Sequence, residues 1–177
     1  MDATIANERL RKRFAKWDVD GSGSLERADF EKEAMQIARS FGKDPEGPEA
    51  RELRDAFVGM FTQLAEQAGI PADGSLSEEQ FVKAGGKLVA EGAEASFNRV
   101  LGPVVRGIVG MCDKNDDGQI NGQEWVAWMD AVGVDQSHAA EAFRKVDTNN
   151  NGELSLDELL DAVRAFHYGE LDVELLG

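Results

Sequence analysis

The stretch from Asp113 to Glu124, DKNDDGQINGQE, most constrains how this chain can fold. It places oxygen-bearing side chains at alternate positions, follows them with a glycine and ends on a glutamate. Calcium takes about six to eight oxygen ligands at roughly 2.3–2.6 Å, and alternate side chains of a tight loop can converge on such an ion. The stretch meets every requirement of the calcium-loop pattern D-x-[DN]-x-[DN]-G-x5-E. The predicted ligands are the side chains of Asp113, Asn115, Asp117 and Glu124 and the backbone carbonyl of Gln119, with Asn121 reaching the ion directly or through water.

The same pattern occurs a second time, which decides between two interpretations of it. A single match is also compatible with a surface turn rich in Asp, Asn and Gly. The stretch from Asp147 to Glu158, DTNNNGELSLDE, repeats every required position and starts 34 residues after the first. That distance fits two helix–loop–helix units, or EF-hands, packed as a pair. The predicted side-chain ligands of this loop are Asp147, Asn149, Asn151 and Glu158.

An earlier loop, DVDGSGSLERAD from Asp18 to Asp29, has the pattern with two departures. Ser22 supplies a neutral hydroxyl, and Asp29 closes the loop with a side chain one methylene shorter than glutamate. Glu26 can offset the shorter ligand if its carboxylate reaches the ion directly. We expect binding by Asp18, Asp20, Ser22 and Asp29, and we expect magnesium, which prefers a smaller six-oxygen shell, to compete mainly here. The alternative is a loop kept only for its strand pairing.

A further loop position, residues 69–80 with the sequence GIPADGSLSEEQ, has lost most ligands. Asp73 is the one carboxylate left among the usual ligand positions, and one carboxylate cannot offset the dehydration of calcium. We therefore expect no binding in this hand. Ser77 and Gln80 have the spacing of a capping box, so the loop is predicted to start the next helix normally.

Repeated apolar positions predict the architecture. Three of the four loops are preceded by apolar residues at the same two positions, and these residues are Phe14, Trp17, Val109, Cys112, Phe143 and Val146. The sequence predicts an all-α fold with four EF-hands in two pairs packed into one compact globule, and short strand pairing between loops, as between Leu25 and Leu76. We expect an N-terminal pair in residues 1–90, and a C-terminal pair in residues 91–177 whose apolar tail folds back over a groove.

Composition narrows the classes of partner. The chain of 177 residues has 34 acidic and 19 basic residues, a formal charge of -15, so we expect neither nucleic acid nor membrane as a partner. Cys112 is its only cysteine, which excludes an intramolecular disulfide and favours a reducing compartment. Residues 1–17 lack a continuous apolar segment, and no apolar run approaches a membrane span. We expect a cytoplasmic monomer.

Longer stretches of the sequence resemble a known family. RLRKRFAKWDVDG, EASFNRVLGPVVRGIVGMCDKN and the ending LDVELLG are similar to the sarcoplasmic calcium-binding protein family, and most of all to its calerythrin-like prokaryotic members. The resemblance extends over essentially the whole chain. It implies a compact helical protein with three calcium ions, in the first, third and fourth hands. It also implies carbonyl ligands from Ser24 and Glu153, in addition to Gln119.

Three functions are compatible with these features. A calcium buffer or transporter, which the resemblance implies, binds at about 10⁻⁹–10⁻⁸ M and opens little. A calcium sensor binds at about 10⁻⁷–10⁻⁵ M and often exposes a methionine-rich surface to a target protein. The five methionines are scattered here, which favours the buffer, and no target is indicated. Full entering helices argue against a calcium-dependent assembly module, and no catalytic motif is present, so we expect no enzyme.

Overall fold

The computed structural model describes residues 3–18, 20–89, 94–113, 118–131 and 135–168. These residues form eight helices and four short strands. The helices are α1 (Ala3–Trp17), α2 (Arg27–Ser40), α3 (Pro48–Ala68), α4 (Glu78–Val89), α5 (Glu94–Cys112), α6 (Gly122–Ala131), α7 (Gln136–Val146) and α8 (Leu156–Tyr168). The strands are β1 (Ser24–Glu26), β2 (Ser75–Ser77), β3 (Ile120–Asn121) and β4 (Glu153–Leu154).

The strands join the loops in two antiparallel pairs. In the first pair Leu25 faces Leu76, and in the second Ile120 faces Leu154. All four side chains are at most 1% exposed, because each points from its loop into the core between the flanking helices. The predicted pairing of Leu25 with Leu76 is confirmed, and so is the fold of four EF-hands in two pairs.

Helices α1 and α3 show why the apolar spacing produces these elements. Residues three or four positions apart share one face of a helix, so an apolar stripe at that spacing is buried on one side. On α1 the buried stripe ends with Phe14 and Trp17, and the helix stops where the first loop begins. On α3 the apolar residues with this spacing are all buried, and they are Leu53, Phe57, Met60, Phe61 and Leu64.

The two EF-hand pairs pack into one hydrophobic core. A side chain at Gly107 of α5 would meet Leu53 of α3 at 3.1 Å, so these helices approach closely. Phe41, which follows α2, stacks on Trp128 of α6 with ring centroids 6.2 Å apart and planes 4° from parallel. The predicted boundary between the pairs, at residue 90, and the predicted apolar tail both lie outside the described residues.

A buried arginine and a half-buried glutamate lie at this core. Arg13 is 5% exposed, and its guanidinium carbon lies 5.8 Å from the centroid of the Trp17 ring. Burial raises the pKa of Glu33 on α2, and the positive charges of Lys16 and Arg13 oppose this increase. A pocket of about 60 Å³ lies among α1, α3, α4, α5 and α8, with Leu10 and Val163 among its lining residues. Within the described ranges, no helix is long and apolar enough to span a bilayer.

We predict that Leu76→Ala destabilises the protein by about 2–5 kcal/mol, because it leaves a cavity where the two strands meet the core. The matched control is Ser75→Ala, since Ser75 is exposed on the other face of the same strand. Urea unfolding without calcium measures both changes. Equal effects for the two variants would contradict the role assigned to Leu76.

Candidate calcium sites

The first residue of three loops is held in the same way. In each case the Oδ2 atom of an aspartate accepts a hydrogen bond from the backbone N–H of a glycine five residues later. The pairs are Asp18 with Gly23 at 2.9 Å, Asp113 with Gly118 at 2.7 Å, and Asp147 with Gly152 at 2.9 Å. One oxygen of each aspartate is thus occupied by the loop backbone, which orients the carboxylate toward the loop interior.

These three glycines need a backbone conformation that other residues rarely adopt. Their φ angles are 81° for Gly23, 75° for Gly118 and 81° for Gly152. Such left-handed values cost an L-residue roughly 1–2 kcal/mol. Gly74, at the corresponding place in the second loop, does not have a positive φ, and its N–H donates to the carbonyl of Pro71 at 2.9 Å. The loop that lost its ligands has therefore also lost this turn.

The last residue of each loop caps the helix that follows it. Its side chain accepts a hydrogen bond from the backbone N–H of the residue three positions earlier. The acceptors are Asp29 for Glu26 at 2.8 Å, Gln80 for Ser77 at 2.9 Å, Glu124 for Asn121 at 3.0 Å and Glu158 for Ser155 at 3.2 Å. In each pair the earlier side chain accepts in return from the backbone of the later residue. The predicted box at Ser77 and Gln80 is confirmed.

The other three boxes were missed in the sequence analysis, although a signal was present. Each loop ends with a polar residue, two intervening residues, and an acidic residue or glutamine, as in NGQE from Asn121 and SLDE from Ser155. That is the spacing of a capping box. The calcium-ligand pattern occupies the same positions, so these residues were interpreted as ligands and not as capping residues. The last carboxylate of a loop therefore caps a helix and is also a predicted ligand.

The fourth loop has the clearest requirement for a cation. Asp147 Oδ1 and Glu158 Oε2 are both buried, and neither has a hydrogen-bond partner among the described residues. A buried carboxylate oxygen without a partner is costly, and a bound cation removes that cost. Two side-chain amides accept hydrogen bonds from the loop backbone. Asn149 Oδ1 accepts from the Asn151 N–H at 3.1 Å, and Asn151 Oδ1 accepts from the Glu153 N–H at 3.0 Å. These oxygen donors suit a hard cation such as calcium.

The third loop is described at its two ends. Asp113 is half-buried and Glu124 is 3% exposed, while Gln119 and Asn121 are half-buried beside them. The predicted ligands Asn115 and Asp117 lie outside the described residues. A buried carboxylate such as that of Glu124 is stabilised by a nearby cation. The described part of this loop has the same hydrogen bonds as the fourth.

The first loop brings four of its predicted ligands together. The Ser22 hydroxyl lies 2.9 Å from the Ser24 carbonyl oxygen and 3.2 Å from Asp18 Oδ1. The pKa of Asp20 is lowered, first by the hydrogen bond from the Ser22 backbone N–H and then by its side-chain interactions with Asp18 and Ser22. Among the described residues no three Asp, Glu, His or Cys side chains form a metal-binding group, so Asp29 is not gathered with Asp18 and Asp20.

Comparison with known proteins identifies the family. The chain is 62% identical over 177 residues to calerythrin from Saccharopolyspora erythraea, and the alignment covers 100% of both chains. The chain belongs to the calerythrin family of EF-hand proteins. The model of the EF-hand domain pair matches residues 108–164, which include the third and fourth loops. The resemblance seen in the sequence is confirmed, and the chain is a calcium-binding EF-hand protein close to calerythrin.

Solved structures support the same fold. Calcium-loaded apo-aequorin from Aequorea victoria has a TM-score of 0.76 at 20% identity, covering 93% of this chain and 91% of that one. A calcium-binding protein from Streptomyces coelicolor has a TM-score of 0.74 at 23% identity, covering 92% of this chain and 97% of that one. The overall fold is thus shared with proteins of low sequence identity.

We predict that Gly152→Ala destabilises the protein by about 1–2 kcal/mol, because alanine is strained at a left-handed φ. Space is not the cause, since an added methyl at Gly152 would meet nothing within 4 Å. The control is Gly110→Ala in α5, which also has open space but no positive φ, and it should stabilise the helix by about 0.5–1 kcal/mol. Urea unfolding in the absence of calcium measures both, and the same sign in both variants would contradict the prediction.

Proposed function

We propose that this protein is a cytoplasmic, monomeric calcium buffer or transporter with three sites, in the first, third and fourth loops. The observation that carries the proposal is that Asp147 Oδ1 and Glu158 Oε2 are buried and have no hydrogen-bond partner within the described part of the chain. The proposed ligands are Asp18, Asp20, Ser22, Ser24, Asp29, Asp113, Asn115, Asp117, Gln119, Glu124, Asp147, Asn149, Asn151, Glu153 and Glu158. Ser24, Gln119 and Glu153 contribute backbone carbonyls. We assign the protein no catalytic activity.

The closed interior favours a buffer over a sensor. A sensor exposes an apolar, often methionine-rich groove when calcium binds, whereas a buffer opens little. Met60, Met111 and Met129 are at most 5% exposed and pack inside the shared core. Trp128, which stacks on Phe41 across the two EF-hand pairs, is also buried. Opening a groove would require breaking these contacts between the pairs.

The net negative charge of the chain is consistent with calcium binding. A formal charge of -15 disfavours nucleic acid and anionic membranes as partners and attracts calcium ions from solution. The repulsion among carboxylates within a loop weakens when a cation binds. Calcium itself is therefore the proposed partner.

We predict that Glu124→Gln and Glu158→Gln each remove one tight binding event, so that calorimetry detects two calcium ions in each variant instead of three. The amide retains an oxygen but loses the negative charge and the two-oxygen grip. The matched control is Glu141→Gln, since Glu141 is an exposed residue of α7 paired with Lys145 at 3.4 Å. Unchanged stoichiometry in both loop variants would contradict the assigned sites.

The same titration distinguishes the two roles when a dye for exposed apolar surface is present. Tight binding without new apolar surface supports the buffer. Micromolar binding with a large increase in dye fluorescence would instead support a sensor that regulates a target protein. Two ions in the unaltered protein would leave the first loop with a structural role only.

We predict that Asp29→Glu increases the calcium affinity of the first loop and reduces competition by magnesium. The longer side chain can reach the ion with both oxygens, a geometry that calcium accepts and the smaller magnesium shell does not. Calcium titration with and without millimolar magnesium measures the change. The control is Asp44→Glu, an exposed substitution outside all four loops. A stronger magnesium effect in Asp29→Glu would contradict the argument.

A further inference from the structure

One side chain of α1 holds the end of α8 through two contacts. The guanidinium carbon of Arg9 lies 4.2 Å from the centroid of the Phe166 ring. Arg9 Nη1 also donates a hydrogen bond to the backbone carbonyl of Phe166. A positive charge at the C-terminal end of a helix is favourable, because that end carries the negative pole of the helix dipole. The contact therefore joins the first helix of the chain to the last described one.

Helix α8 starts at the fourth loop. Glu158 lies in its first turn, and Asp147 follows the last residue of α7. A cation held by the free oxygens of these two residues fixes the start of α8 relative to the end of α7. A helix rises about 1.5 Å per residue, so Phe166 lies roughly 12 Å along the same rigid rod. A change in the position of Glu158 is carried to Phe166.

Helix α1 ends at the first loop. The N–H of Asp18 donates to the carbonyl of Phe14 at 2.9 Å, so the first ligand is attached to the last turn of α1. Trp17 packs edge-on against Phe30 with centroids 5.0 Å apart, and Phe30 directly follows Asp29. Asp18 is thus attached to α1, and the residue next to Asp29 packs against the same helix.

We propose that the Arg9–Phe166 contact couples the fourth calcium loop to the first. Filling the fourth loop fixes α8, the contact holds α1 against it, and α1 brings Asp18 into the arrangement that binds an ion. Leu10 and Arg13 of α1 and Val163 of α8 border the same pocket in the core, so the side chains of both helices are incompletely packed there. Coupling is reciprocal, so an ion in the first loop strengthens the fourth site equally. This inference rests on the proposed occupancy of both loops.

The coupling is measured in a Glu124→Gln background, which leaves the first and fourth loops to bind calcium. Calorimetry gives the affinity of the first loop with the fourth loop intact and with Glu158→Gln. The ratio of the two affinities is the coupling factor, and such factors are typically about 5–150. Arg9→Gln should reduce the ratio severalfold toward one, because a cation–π contact of about 0.5–2 kcal/mol corresponds to a factor of about 2–30.

Two further variants make the test specific. Phe166→Leu keeps an apolar side chain and removes the ring face, so it should reduce the ratio as Arg9→Gln does. Arg11→Gln is the control, since Arg11 is an exposed residue of the same helix whose guanidinium lies 3.7 Å from Glu78. It should leave the ratio unchanged. Hydrogen exchange provides a second measurement, and filling the fourth loop should slow exchange of the α1 amides only when Arg9 is present.

The outcomes separate this inference from the proposed function. Two binding events whose ratio does not depend on Arg9 would overturn the coupling and leave the calcium sites intact. An equal decrease in Arg11→Gln would also overturn it, because the effect would then come from charge alone. A missing event for the first loop, even without any Arg9 substitution, would overturn the proposed first site and this inference together.

Discussion

The last residue of each calcium loop is also the third residue of the helix that follows it, and this double position ties ion binding to folding. One side-chain oxygen of Glu158 accepts from the N–H of Ser155 and so caps α8. The other oxygen is buried and has no hydrogen-bond partner among the described residues. The side chain that caps the helix is therefore also a proposed calcium ligand. An ion that attracts this carboxylate acts directly on the helix that begins there.

The short strands connect the loops to the hydrophobic core. Ile120 and Leu154 face each other between the third and fourth loops, and Leu25 and Leu76 do so between the first and second. Each of these residues comes shortly before a capping box, so strand and cap fix both ends of one short segment. Phe30 of α2 and Phe57 of α3 pack edge-on against Trp17 of α1. Loop geometry thereby determines which apolar faces meet.

Local features of this fold could be predicted from the sequence, and long-range ones could not. The bounds of α1 and the pairing of Leu25 with Leu76 follow from spacing along the chain, because apolar periodicity and the loop register repeat there. The stacking of Phe41 on Trp128 and the contact of Arg9 with Phe166 depend on how separate units pack. The burial of Arg13 is of the same kind, since a long basic side chain on a helix usually indicates an exposed face.

The second loop shows that the residues required for the fold and the residues required for ion binding are different, although both sets lie in the same twelve-residue segment. It keeps what the fold requires, because Leu76 is fully buried opposite Leu25 and Gln80 still caps its helix. It lacks the features shared by the other three, namely the first aspartate, a left-handed glycine at the sixth position and a carboxylate at the end. The first loop is intermediate, since it has the left-handed Gly23 but a shorter closing carboxylate at Asp29. Strand pairing and capping can thus persist while the charged ligands change, so one framework can support hands of different affinity.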